Sequence, residues 1–494
     1  MTIQNGEQAD LAQPELIRVE KTTIKGDVMR KKLRFGLIVM FLLYGILATG
    51  GMDCLAAENP SYCGDSSFVQ EIRRERSKKT KAGKGKVYYL STKGNDKGNG
   101  SRKKPFRTFA KALKKLKPGD TLYVRGGTYL EPVVIPKMCS GSKNSYITVC
   151  SYPGEQPVIS GRGKKSPVLV TVDGASYVRI AGFELKDAKG QDACGISISP
   201  GSHHVILSGN SIRQIKVQNP RQKDHCANGI LLFGDDSKKS IHDILIYGNH
   251  ISDCETGWAE CISVTGNCTN INVIENDIDK TGNIGIDFSG NYGYCSNPAK
   301  DFPRNCLIYK NKVANCVSKV ATSYGIYVDG GQHITIQGNS VSKCGGGIEI
   351  GAEEKPPKEK YATSDITVTG NTLKNNLENA ITVGGYTKKL GWVKDVQITD
   401  NTCRNNGKKN AILTLAKCDG VLLRNNVFCN DSGRGAVVYS EFSDAYTRNI
   451  VFEQNRYANG GSKKDTCFVY LGKKYRSFEK WKKAVGKKAG TYLE

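Results

Sequence analysis

The sequence is short of acidic residues, and it lacks the motifs of the common nucleic-acid-binding and zinc-binding domains. Its 494 residues include 47 Asp and Glu against 72 Lys and Arg, a formal net charge of +25 at pH 7. This excess favours acidic partners such as uronate-containing or cell-wall polymers. No helix-turn-helix, zinc-finger, RNA-recognition or C-x-x-C pattern occurs. We therefore expect no nucleic-acid partner and assign no transition metal.

Long apolar runs are absent apart from one near the N-terminus. A basic flank, MRKKLRF from Met29, precedes the apolar run 36–51 and the small-residue segment CLAAE. This pattern predicts a signal peptide over 29–57, with Met29 as the true start and residues 1–28 as a disordered or mis-assigned beginning. An uncleaved anchor is the alternative, but the run of about 16 residues is short for a membrane span. We expect a secreted or cell-surface protein.

Helical periodicity and a dense leucine pattern are also missing; instead, a motif of the form apolar-x-apolar-x-x-Asn repeats every 25 to 39 residues. Its asparagines are Asn210, Asn249, Asn276, Asn311, Asn339, Asn371, Asn401, Asn426 and Asn455. Three short strands and three turns per repeat predict an all-β, right-handed parallel β-helix with one repeat per coil. The Asn side chain tolerates a tight turn and can bond to its counterpart in the next coil.

The repeat body is predicted at 176–460, with end pieces on both sides. Residues 58–86 are basic and read as a linker, either resting on an anionic cell wall or acting as a plain solvated tether. Residues 87–175 form the N-terminal cap and first coils, and 461–494 form the C-terminal cap. The predicted cap helices carry Phe106, Phe109, Ala110, Leu113 and Leu116 in one case, and Phe478, Trp481 and Val485 after Ser477 in the other.

Cysteines are numerous, and sixteen of the 17 follow the predicted signal segment. Cys254, Cys316 and Cys344 occupy the same register after the Asn of their coils, so we expect them to stack as small core fillers. Export would also permit disulfides.

The entry segment resembles the N-terminal portion of secreted β-helix proteins in the pectate-lyase-like superfamily. The segments YYLSTKGND, PFRTF and PGDTLYVRGGTY carry this resemblance, which extends with the coil pattern from residue 87 to about 480. It implies a carbohydrate-active protein whose substrate groove lies on the sheet after the third turn. We expect a monomer that binds a polysaccharide, with acidic polymers among the candidates.

Three acids, Asp287, Asp329 and Glu349, lie on short Gly-Ile strands at this position. Strand alternation sends the neighbouring Ile, Phe and Val side chains inward, so the acids face outward. The predicted outward row is Ser197, Leu231, Ser263, Asp287, Tyr327 with Asp329, Glu349, Thr382 and Leu413. The flanking loops are long and contain aromatic residues, which suit sugar rings. The predicted substrate-binding residues are Trp258, Tyr292, Tyr294, Tyr327, Tyr386, Lys389 and Trp392. The alternative is that these rings pack only their own loops.

The acids are predicted to be catalytic, and a glycoside hydrolase without a cofactor is the preferred interpretation. In the predicted register, Asp329 lies one coil and two residues away from both Asp287 and Glu349. Its separation from each acid is then roughly 8 Å, a distance that suits inverting hydrolysis. A register slip of two residues would bring Asp329 within about 5 Å of Glu349, the retaining distance.

Two other functions remain open at this stage. In a pectate-type lyase the three acids would bind Ca²⁺, and a loop cation among Arg304, Lys389 and Lys394 would remove the proton. The D-G-F-A calcium motif of the family-nine pectate lyases is absent, which disfavours this interpretation. In a non-catalytic adhesin or glycan-binding protein, the acids would be only a polar stripe.

Overall fold

The computed structural model describes residues 60–77, 83–162, 167–223, 225–407, 411–431, 435–440, 442–460 and 467–493. Within these residues the chain passes in turn through three sheets of 13 strands each. All pairings in these sheets are parallel except the last one of sheet 3. This confirms the predicted all-β, right-handed parallel β-helix. Residues 1–28 and the predicted signal peptide at 29–57 lie outside the described residues.

The three sheets are named in the order in which each coil visits them. Sheet 1 consists of Val87–Leu90, Thr121–Val124, Ile147–Ser151, Ser176–Ala181, His203–Ser208, Ile241–Tyr247, Cys268–Ile274, Arg304–Tyr309, Gln332–Gln337, Thr363–Thr369, Val393–Thr399, Cys418–Arg424 and Thr447–Glu453. Sheet 2 consists of Gly127–Tyr129, Pro157–Ser160, Glu184–Lys186, Ser211–Arg213, His250–Cys254, Asp277–Thr281, Lys312–Ala314, Ser340–Ser342, Thr372–Lys374, Thr402–Arg404, Val427–Asn430, Asn455–Asn459 and Gly490–Tyr492. Sheet 3 consists of Val133–Pro136, Val168–Asp173, Asp192–Ile198, Cys226–Gly234, Ile262–Gly266, Ile286–Ser289, Tyr324–Asp329, Gly346–Gly351, Ile381–Val383, Ala411–Leu415, Ala436–Ser440, Cys467–Tyr470 and Lys473–Tyr475. Lys189–Gly190 also pairs with Lys216–Val217.

Inward positions of the coils hold stacks of aliphatic side chains. In sheet 3 the stack is Ile196, Ile230, Ile262, Ile286, Ile326, Ile348, Ile381 and Leu413, all fully buried. Burial of each such side chain contributes about 1.5–3 kcal/mol. The prediction that Leu413 faces outward is wrong, because it aligns with Ile381. Thr414, between Leu413 and Leu415, holds the outward position beside Thr382.

The repeated asparagines form the predicted ladder along one turn of the helix. Asn276 is typical: its Oδ1 accepts from the backbone N–H and the Nδ2 of Asn249, at 3.0 and 2.9 Å. Its own Nδ2 donates to the carbonyl of Ile246 and to Oδ1 of Asn311, both at 2.9 Å. Since the ladder is buried, each amide satisfies polar groups of two neighbouring coils that water does not reach.

Replacing Asn276 by Ala should therefore destabilise the fold by about 3 kcal/mol, because the Asn249 backbone N–H loses its acceptor in a buried setting. The measurement is the free energy of unfolding in denaturant, followed by circular dichroism. Asn219→Ala, at an exposed loop position, is the control and should stay within about 0.5 kcal/mol of the wild type. Equal stability of the two variants would show that the asparagine ladder does not stabilise the fold.

The ends of the β-helix are closed by short helices, as predicted. Helix α2, Phe109–Leu113, begins after the N-cap Thr108, and Ala112 rather than Ala110 faces the core. Helix α3, Phe478–Val485, has Ser477 as its N-cap and buries Trp481 completely. Two 3₁₀ turns occur at Glu359–Tyr361 and Lys487–Ala489.

The linker interpretation of residues 58–86 is wrong for its central part, which forms helix α1, Ser66–Arg76. Phe68 and Ile72 are fully buried against the outer face of sheet 1, in a cluster with Ile206 and Leu245. Only two apolar residues, four positions apart, anchor the helix. The sequence analysis therefore took this basic segment for a linker. None of the helices in the described residues is long and apolar enough for a membrane crossing.

The sixteen cysteines within the described residues form no disulfide with one another. Cys254, Cys316 and Cys344 lie in the core, which confirms their prediction as core fillers.

Candidate functional site

Strand register fixes the relative positions of the three predicted acids. Asp287 pairs with Tyr327, and Tyr327 pairs with Glu349 on the following coil. Asp329 pairs with Ser289 on one side and Gly351 on the other. It therefore lies diagonally between Asp287 and Glu349, with Cα separations of roughly 8 Å to each. The slipped register is wrong, because Gly351 occupies the position beside Asp329.

Two further acids, Glu260 and Glu353, join this group. The charge of Glu260 acts on Asp287, and that of Glu353 acts on Asp329 and Glu349. We name Glu260, Asp287, Asp329, Glu349 and Glu353 the carboxylate cluster. The sequence analysis missed two of them: Glu260 lies two residues before the strand that begins at Ile262, and Glu353 lies two residues after the strand that ends at Gly351. A search for acids at the strand ends would have found both.

Every member of the carboxylate cluster has a raised pKa. Burial is the largest cause in each case, and neighbouring carboxylates add to it for every member except Glu353. The pKa of Glu260 rises to about 7 and that of Asp329 to about 8. For Asp287 and Glu349 the pKa lies well above the ordinary value. Desolvated like charges cannot all ionise, so the cluster keeps protons at neutral pH.

Asp329 is the best-supported carboxyl of the cluster. The Tyr292 hydroxyl donates to its Oδ2 at 2.5 Å, and the backbone N–H of Glu353 donates to its Oδ1 at 2.7 Å. The Tyr327 hydroxyl donates to Oε1 of Glu353 at 3.3 Å. Donors on both oxygens favour the ionised form of Asp329 over that of its neighbours.

Glycines make room for the tyrosine rings beside Glu349. A Cβ at Gly346 would lie 2.1 Å from Cε1 of Tyr324, and one at Gly351 would lie 2.5 Å from the Tyr327 hydroxyl. Both rings can therefore lie across the next coil, where the Tyr324 hydroxyl meets Oγ1 of Thr382 at 2.9 Å. The segment GGGIEIG thus places Glu349 between two aromatic side chains.

Three predicted substrate-binding tyrosines stand around the cluster. Tyr292 and Tyr294 stack with ring centroids 5.9 Å apart, and Tyr294 also packs edge-on against Phe233 at 5.1 Å. Tyr386 is 57% exposed, and its pKa is raised by burial and then by Glu353 and other cluster charges. These exposed rings form an aromatic wall over the carboxylates. Tyr327, by contrast, is buried in sheet 3 beneath these rings.

The roles of the other predicted substrate contacts, Trp258, Trp392 and Lys389, stay predictions. The Trp258 indole N–H donates to the carbonyl of Arg221 at 3.3 Å. Trp392 stacks on Tyr446 at 6.5 Å and lies 4.7 Å from the guanidinium carbon of Arg448, which favours packing within its own loop region. Lys389 is exposed in a turn.

Two of the cations considered for a lyase are engaged elsewhere. The Arg304 guanidinium donates to Oδ1 of Asn267 at 2.9 Å and to the carbonyl of Phe302 at 3.1 Å. Lys394 is paired with Glu359 at 2.5 Å. Neither is therefore free to act as a base at the cluster.

Asp287, Asp329 and Glu349 offer the oxygen ligands that Ca²⁺ prefers. Oδ1 of Asp287 is buried and has no hydrogen-bond partner among the described residues. The residues therefore fit a hard cation as well as an acid pair.

Structural neighbours share the architecture. A lacto-N-biosidase of family GH136 from Eubacterium ramulus is 16% identical with a TM-score of 0.49, over 86% of this chain and 68% of that one. The A-module of mannuronan C-5 epimerase AlgE6 from Azotobacter vinelandii is 13% identical with a TM-score of 0.43, over 68% and 84% of the two chains. At this similarity the likeness concerns the fold alone.

Sequence comparison gives the family. The uncharacterized protein YwoF of Bacillus subtilis (strain 168) is 29% identical over 440 residues, which are 85% of this chain and 90% of that protein. Residues 88–240 match the family described as Pel9A-like, right handed beta helix region. Overlapping matches at 168–355, 294–413 and 324–475 cover more than half of the chain with the family described as right handed beta helix region. The chain belongs to the right-handed β-helix family.

Proposed function

We propose that this protein is an exported glycoside hydrolase that cleaves a polysaccharide with inversion at the anomeric carbon. The observation that carries the proposal is the carboxylate cluster, whose members have raised pKa values on the outer side of sheet 3 beneath exposed tyrosines. Paired carboxyl groups with different protonation states are what glycoside hydrolysis requires. The neighbours named as a lacto-N-biosidase and an epimerase show that this fold also occurs in proteins acting on carbohydrates.

Within the cluster, Asp329 is the proposed base and Glu349 the proposed acid. Asp329 accepts hydrogen bonds on both oxygens, which favours its carboxylate form. With its pKa raised to about 8, this form and therefore the base become available as the pH approaches 8. Glu349 is partly exposed and its pKa lies well above the ordinary value, so it retains a proton that a substrate can reach. Asp287 stays protonated beside the pair in this proposal, because burial and the charges of Glu260 and Asp329 raise its pKa well above the ordinary value.

The reaction follows from these positions. Glu349 gives its proton to the glycosidic oxygen as the bond from that oxygen to the anomeric carbon breaks. Asp329 takes a proton from a water molecule, whose oxygen bonds to the anomeric carbon from the opposite face. The diagonal Cα separation of roughly 8 Å leaves room for sugar and water between the two groups.

The same cluster bears on the substrate. A uronate at the cleaved bond would bring another negative charge to five carboxyl groups, which is unfavourable without a cation. The stacked Tyr292 and Tyr294 offer flat apolar faces to sugar rings. We therefore propose a neutral sugar at the cleaved position.

A Ca²⁺-dependent lyase is the second candidate, favoured by the unpartnered Oδ1 of Asp287. Ca²⁺ bound at Asp287, Asp329 and Glu349 would attract a uronate and acidify its C5 proton. This candidate needs a base, and Arg304 and Lys394 already have structural partners.

Digestion of a panel of neutral and uronate polysaccharides by the purified protein, with and without a calcium chelator, tests the proposal. We expect new reducing ends from a neutral polymer, unaffected by the chelator and without the absorbance of an unsaturated uronate. Chelator-sensitive absorbance would establish the lyase instead. No cleavage of any polymer, with binding retained, would establish a glycan-binding protein.

A further inference from the structure

Three histidines from two neighbouring coils meet on the outer face of sheet 1, whereas the carboxylate cluster lies at sheet 3. His203 pairs in register with His242, and their rings stack in parallel with centroids 4.7 Å apart. His204 follows His203 in a left-handed conformation, with φ of 52°. One nitrogen from each ring lies within 4.8 Å of the other two.

Asp243 places a carboxylate beside two of the three rings. Nδ1 of His203 lies 3.0 Å from Nδ1 of His204, which is 3.7 Å from Oδ2 of Asp243. That same oxygen lies 2.7 Å from Nδ1 of His242. In a tetrahedral zinc site with bonds of about 2.0–2.1 Å, neighbouring ligand atoms stand about 3.3 Å apart. The three observed separations lie on both sides of this value.

The surroundings prepare the imidazoles for a metal. Nε2 of His204 lies 3.3 Å from Oδ2 of Asp65. A carboxylate on one ring nitrogen leaves the lone pair of the other, Nδ1, for a ligand, as in carboxylate–histidine–metal arrangements.

We propose that His203, His204 and His242, with Asp243 beside two of them, bind a divalent transition-metal ion, with Zn²⁺ as the best match. Three imidazoles and one carboxylate suit zinc and disfavour Ca²⁺ and Mg²⁺, which take oxygen ligands. No local sequence motif indicates the site, because the ligands come from two coils whose paired positions are 39 residues apart, and they meet only through strand register. This explains why the sequence assigned no transition metal.

The site has a structural consequence for helix α1. Asp65 is the N-cap of α1, and Phe68 packs edge-on against the His204 ring at 5.4 Å. A metal on Nδ1 of His204 would strengthen the Asp65 contact on Nε2. The ion thus fastens the N-terminal helix to the coils and takes no part in the chemistry of the carboxylate cluster.

Metal analysis of the full chain, purified without a polyhistidine tag, tests this proposal. After stripping with a chelator and titration with Zn²⁺, we expect one ion per chain that survives gel filtration and raises the midpoint of thermal unfolding. With Co²⁺ as the probe, we expect the visible absorption band of tetrahedral cobalt. Ca²⁺ should produce neither effect.

Two variants locate the ion. His203→Gln and His242→Gln change half-buried rings and should abolish the bound equivalent and the cobalt band, while keeping the circular dichroism of the stripped wild type. His333→Ala is the control, since His333 occupies the position equivalent to His204 on a later coil and lies near Asp365. It should bind like the wild type. Absence of tight Zn²⁺ binding to the wild type, or equal binding by folded His242→Gln, would overturn the proposal.

Discussion

Replacing Asp329 by Asn, or Glu349 by Gln, should lower the turnover number of the proposed hydrolysis by about 10²–10⁴-fold, the range for loss of general acid or base catalysis. Both substitutions keep the shape of the side chain. Each removes the group that accepts or donates a proton, so the loss should fall on kcat more than on KM. The measurement is steady-state release of reducing ends from the polymer identified in the panel.

The two variants should differ in how their activity is restored. A substrate with a good leaving group needs no proton from Glu349, so Glu349→Gln should recover on an aryl glycoside, and Asp329→Asn should not. Added azide needs no general base, so it should rescue Asp329→Asn and yield a glycosyl azide of inverted configuration. Glu359→Gln, at an exposed position in the loop that follows the strand of Glu349, is the control and should match the wild type. Full activity in Asp329→Asn would exclude its role as base.

The fold could be predicted from the sequence because its determinants are local and repeated. Each Asn of the ladder stands at a fixed place after an alternating apolar segment, so strand, turn and coil can be read from a single repeat. The inward stack of Ile230, Ile262 and Ile286 follows from alternation alone. Leu413 was misplaced because Ile412, Leu413 and Leu415 together obscure the alternation, and only pairing with Ile381 resolves it.

The site could be predicted only in part, because loop lengths vary between coils. Asp287, Asp329 and Glu349 were found since they lie on strands whose register repeats. Glu353 lies beyond a strand end, and its contact with Asp329 depends on how the chain turns after Gly351. Loop conformation also decides where the aromatic residues lie. The 290–303 loop folds Tyr292 and Tyr294 over the cluster, whereas the loop of Trp392 brings that ring to Tyr446.

Helix α1 and the histidine site mark a second limit of sequence reasoning. Both depend on contacts between segments far apart in the chain: Phe68 with Ile206, and His203 with His242. Two apolar residues in a basic segment do not predict a buried helix. Likewise, a His-His pair and a third histidine one coil later do not predict a metal site until the strand register is known.

The stability of the folded protein should fall as the pH rises from about 4 to about 8. The pKa of Asp329 is raised from 3.8 to about 8 by burial and by Glu353, whereas in the unfolded chain it returns to about 3.9. Between these values the folded state holds a proton that the unfolded state has released. The free energy of unfolding therefore decreases with pH, by on the order of 5 kcal/mol for a shift of this size. Below about pH 4 this contribution to stability is fully present.

Denaturant unfolding at several pH values between 4 and 8 measures this slope. Asp329→Asn should flatten it, because the variant has no proton to lose at this position, and its stability relative to the wild type should rise with pH. Asp395→Asn, at an exposed position, is the control and should run parallel to the wild type. A wild-type protein that gains stability over this interval would show that the cluster is ionised and neutralised by a bound cation. That result would argue for the Ca²⁺-dependent lyase, since a cation among the five carboxyl groups lowers their pKa values and reverses the sign of the slope.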